Sequence, residues 1–136
     1  MSKYNILTKY INTIPGDNLG EWLVDMEKDG ISENTIKFPF VQYSEMVNNF
    51  VNDFYIFEEN NKDMGLNRYQ DILKNNDFEF DVKSMKSVDV SDLNAQCVLA
   101  LIMGAIRADR FSEGALLEFF NNGCILKWLK RLDNIE

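Results

Sequence analysis

Three side chains in the second half of the chain combine polarity, charge and spacing in a way that could do chemistry. Gln96 is the one large polar residue inside an apolar run from about Ala95 to Ile106, and Arg107 and Arg110 follow it one turn apart on a helical face. A buried amide must be hydrogen-bonded, and two guanidinium groups on one face can hold an anion. Gln96, Arg107 and Arg110 are therefore a candidate ligand pocket. The competing reading is structural: the arginines neutralise the C-terminal end of a helix and pair with Asp109 or Glu113, while Gln96 satisfies a neighbouring group of the same chain.

Two further sets suit a partner. Glu21, Asp25 and Asp29 recur every four residues, and on a helix such like charges oppose each other by about 0.2–0.5 kcal/mol per pair. A basic partner would relieve that repulsion; a merely solvated acidic face is the alternative. Asn48, Asn52, Tyr55 and Glu59 share one face of a second helical stretch, opposite a stripe of phenylalanines. A tyrosine facing outward among polar residues fits an interface anchor, and packing against another part of the chain is the other reading.

The chain contains no histidine, which removes Ser–His and Cys–His nucleophile systems and imidazole metal ligands. Cys97 and Cys124 lie far apart and form no C-x-x-C pair, so both read as buried, reduced thiols. The glycines are scattered, and Glu58-Glu59 diverge on a helix. No catalytic residue, metal site or cofactor is expected, and a non-enzymatic role is favoured.

A net charge of −8 argues against direct binding to nucleic acid and against an anionic membrane surface. The run from Ala95 to Ile106 is too short for the roughly 20 residues of a bilayer span. Met1 to Asn5 open no signal peptide. These features lead us to expect a soluble, cytoplasmic protein whose partner is another protein. A homodimer through the small-residue stripe Ala100, Gly104 and Ala108 is an open alternative to close helix packing within the chain.

Helical periodicity must place these residues. It predicts helices over residues 3–14, from Leu19 to about Asp29, from about Glu45 to Asn60 behind Ser44, and from Asn67 to Asn75. Others are expected over about Asp92–Arg110 behind Ser91, through Asn122 behind Ser112, and from Cys124 to about Asp133. Phe38 and Phe40 alternate with Pro39, and Phe78, Phe80 and Val82 alternate with charged residues, so these two stretches could pair as one short β-hairpin. The expected fold is all-α: a single domain over residues 1–136, a compact multi-helix bundle around the hydrophobic helix at about 92–110, with room for that hairpin.

The stretch from Asp89 through Ser91, Asn94, Gln96, Cys97, Gly104 and Arg107 to Phe111 carries a resemblance. It continues in Glu113-Gly114-Ala115-Leu116-Leu117 and Gly123-Cys124-Ile125-Leu126-Lys127-Trp128-Leu129. Over roughly residues 40 to 133 the chain resembles a family of small uncharacterised proteins of Firmicutes and their mobile elements. The resemblance implies an all-helical bacterial or phage protein and lends no catalytic residue. The function expected is a protein-binding module, a regulator or inhibitor of a host nucleic-acid-handling system acting through an acidic surface. The alternative is a small-molecule-binding or enzymatic domain with the polar pocket at Gln96, Arg107 and Arg110.

Overall fold

Ser44 starts the longest helix. In the computed structural model, which describes residues 4–16, 19–24, 39–76, 85–87, 89–91, 93–110, 112 and 114–135, its Oγ accepts the Val47 N–H at 3.2 Å. Helix α2 then runs Glu45–Asn60 and buries Met46, Val47, Phe50, Phe54 and Phe57. Before it come α1 (Asn5–Thr8), continued by 3-10 turns at Lys9–Asn12 and Ile14–Gly16, and the strands β1 (Gly20–Val24) and β2 (Pro39–Tyr43). After it come α3 (Tyr69–Asn75), α4 (Ala95–Ala108), α5 (Ala115–Asn121) and α6 (Cys124–Ile135). The fold is mostly helical with one short antiparallel pair, as the periodicity implies.

Helix α4 is apolar nearly all round, so every face of it needs cover. Helices α3, α5 and α6 pack against it, and Cys97 through Ile106 are all buried. Ala100, Gly104 and Ala108 are buried with the rest. An aromatic chain ties the remaining elements to this core. Tyr10 meets Phe50 edge-on at 5.3 Å, Phe50 meets Phe120 edge-on at 5.6 Å, and Phe119 lies 5.5 Å from Trp128.

Four expectations are corrected. The helix from Leu19 to Asp29 is replaced, over its described part, by β1, which runs antiparallel to β2 so that Trp22 pairs with Val41. Glu21, Asp25 and Asp29 therefore do not form a helix face there: Glu21 stands exposed on β1, and Asp25 and Asp29 lie outside the described residues. Gly20 enables the pairing, since its φ is +150° and a Cβ would stand 2.9 Å from the Gln42 carbonyl oxygen. The hairpin thus exists, but Phe40 pairs with Leu23; Phe78 to Val82 lie outside the described residues.

The caps of two helices also differ. Asn94 rather than Ser91 caps α4, its Oδ1 accepting the Cys97 N–H at 2.8 Å. Ser91 belongs to the preceding turn, where its N–H and hydroxyl both donate to Asp89 Oδ1. These bonds, the backbone one foremost, hold the Asp89 carboxyl below the usual carboxylate range. Helix α5 begins after Gly114 rather than behind a Ser112 side chain, because a carboxylate from the end of α4 takes up its first N–H groups.

Candidate functional site

That carboxylate is Asp109, which ends α4 and organises the corner into α5. Its Oδ1 accepts the Tyr43 hydroxyl at 2.7 Å, the Gly114 N–H at 3.0 Å and the Leu116 N–H at 3.3 Å. Two of these donors lie at the start of α5, where a helix leaves N–H groups without intrahelical partners. The Tyr43 hydroxyl in turn accepts the Leu117 N–H at 3.1 Å. One carboxylate and one phenol therefore join β2, the end of α4 and the start of α5.

This junction forms one end of a groove of about 380 Å³ between α2 and the α4–α5 corner. Val47, Val51, Ile106 and Leu116 supply its apolar lining, and Asn48, Asn52, Tyr55 and Asp109 its polar groups. Burial of Phe50, Phe54 and Phe57 fixes the rotation of α2, which leaves Asn48, Asn52 and Tyr55 on the side that faces the groove. Asn48 and Asn52 are exposed, Tyr55 is half-buried, and Ile56 beside it is 43% exposed. Glu59 continues the same face one turn beyond Tyr55 and pairs with Lys62 at 3.4 Å.

The trio Gln96, Arg107 and Arg110 does not converge. Gln96 is exposed rather than buried, and its Nε2 donates to the Met64 carbonyl at 2.6 Å. It lines a separate hollow of about 490 Å³ with Gly65, Arg68, Asp71 and Lys74. Arg107 lies eleven residues further along α4, roughly 16 Å away at the helical rise. Its guanidinium stacks over the Tyr55 ring at 5.9 Å, and its Nε is buried without an acceptor among the described residues. Arg110 is exposed. Neither arginine makes an ion pair with Asp109 among the described residues, and Glu113 lies outside them.

The other reactive groups serve packing. Burial pushes the Cys97 thiol up to about 11 and raises Cys124 as well, which suppresses the thiolate that nucleophilic chemistry needs. Burial and a 2.6 Å bond to Asp53 likewise raise Tyr10. Among the described residues no three His, Cys, Asp or Glu side chains gather as a metal site, and no helix is long and apolar enough to cross a membrane.

Residues 7–136 match the model of a family described as a family of unknown function, DUF6508. The chain belongs to that family. No curated protein and no solved structure matches it. In this DUF6508 chain Tyr55 and Glu59 lie on the α2 face to which the helical period assigns them. The sequence pattern missed Asp109 as an organising residue, because partners such as Tyr43, 66 residues away, give no local signal.

Proposed function

We propose that the chain is a non-enzymatic protein-binding module that receives its partner on the α2 face. The observation that carries this is the groove: an apolar lining of Val47, Val51, Ile106 and Leu116, rimmed by Asn48 and Asn52 and closed by the half-buried Tyr55. Protein interfaces share that anatomy of apolar centre, polar rim and aromatic anchor. The net charge of −8 favours a basic partner. A basic protein that handles nucleic acid, bound by a regulator or inhibitor encoded on a bacterial mobile element, is the pairing to which the resemblance to small mobile-element proteins points.

The test is a photo-crosslinking residue in place of Ile56, expressed in the native host. The expected result is one covalent adduct with a basic protein, lost when Tyr55→Asp is added while the circular dichroism spectrum is unchanged. Adducts that persist in the Tyr55→Asp protein, or none at all, would overturn the proposal.

A further inference from the structure

Asn48 and Asn52 stand one helical turn apart on the exposed rim of the groove. A side-chain amide offers one acceptor and two donor hydrogens, the complement of a peptide group. Four residues of helix advance about 6 Å, and two residues of extended chain advance about 6.6 Å. Two amides at this spacing therefore meet alternate peptide groups of a strand lying along α2. Both have capacity to spare. Asn48 makes one long contact, Nδ2 to the Tyr43 carbonyl at 3.5 Å, and Asn52 makes none among the described residues.

Charge sets what that strand must carry. Asp109 lines the groove, and its Oδ1 takes three hydrogen bonds while Oδ2 takes none among the described residues. Its charge has no ion-pair partner there. The exposed Glu45 and Glu59 lie toward the two ends of the same helix.

We infer that the groove binds an extended segment of a partner protein, held through its main chain by Asn48 and Asn52 and bearing a lysine or arginine that meets Asp109. This rests on the protein-binding reading of the groove and specifies its mode. Side chains on one face of the segment pack on the half-buried Val51 and Tyr55, and those on the other face stay in water.

The probes are four acetylated, amidated peptides titrated into the full ¹⁵N-labelled chain. One alternates Val and Thr around a central Arg, the second is the same peptide with alternate nitrogens methylated, the third carries citrulline in place of the Arg, and the fourth is an alanine-based helical peptide of the same charge as the first. The first should bind and shift the side-chain amide resonances of both Asn48 and Asn52. Methylation, or the double substitution Asn48→Ala with Asn52→Ala, should weaken it roughly tenfold, as two net hydrogen bonds would. Asp109→Asn keeps the Oδ1 acceptor and should remove the preference for Arg over citrulline at the central position.

Equal binding of the methylated peptide, tighter binding of the helical one, or no binding of any peptide at millimolar concentration would overturn the inference. The outcome is separable from that of the crosslinking experiment. A Tyr55-dependent adduct at position 56 together with silent peptides would leave the docking face standing and remove only the main-chain mode.

Discussion

Tyr43 concentrates more structure in one oxygen than any residue of the apolar core. Its hydroxyl donates to Asp109 and accepts from the Leu117 N–H, so a single atom ties β2 to the start of α5. Tyr43→Phe keeps the ring and leaves the Leu117 N–H without that acceptor. A part-buried donor left unsatisfied costs about 1–3 kcal/mol. The melting temperature should fall accordingly, and amide exchange should quicken at Leu117 and Leu116 before it does in α4. An unchanged melting temperature would mean that water replaces the phenol without loss. None of this was legible in the sequence. Tyr43 carries no signal of its own there and Asp109 reads as a charge near a helix end, because the bonds between them span 66 residues of chain.

At the scale of elements, legibility depended on how far a segment's signal is local. Helix α4 has no polar face, so no arrangement other than central burial satisfies it, and Val98, Leu101, Ile102 and Ala105 are buried as the pattern requires. The α2 stripe was equally plain, and with it the opposite face that bears Asn48, Asn52, Tyr55 and Glu59. Strand β1 was not. Leu19, Trp22 and Leu23 fit a helical period, and what decides against helix is pairing with β2, a partner distant in sequence, together with the glycine that lets the strands approach. Within α4, Gly104 is buried. Gly104→Leu adds a large side chain at a buried helix position and should destabilise the fold by about 1–3 kcal/mol. Gly104→Ala tests the space for a single methyl group. Thermal unfolding of both variants against the parent checks this, and a Gly104→Leu protein that melts unchanged would place the stripe against a void.

For the whole molecule, charge is the property that distance does not obscure. A net charge of −8 opposes the phosphate backbone everywhere except where cations cluster. Lys127, Lys130 and Arg131 on α6 are such a group in sequence. In the fold, the Arg131 guanidinium is engaged, donating through Nε at 3.0 Å and Nη2 at 2.9 Å to the Leu93 carbonyl. An electrophoretic assay at micromolar protein and physiological salt should show no shift of duplex DNA. A salt-sensitive shift abolished by Lys127→Ala and Lys130→Ala would contradict this and give the acidic molecule a basic side.

The aromatic chain Tyr10–Phe50–Phe120 also has a history in time. A ribosome adds about 5–20 residues per second, so the seventy residues between Phe50 and Phe120 separate their appearance by roughly four to fourteen seconds. Throughout that interval Phe50 lacks the edge-on partner that Phe120 supplies in the folded chain. A pause in translation between these two positions would lengthen the time for which that edge of the phenylalanine stripe stays uncovered.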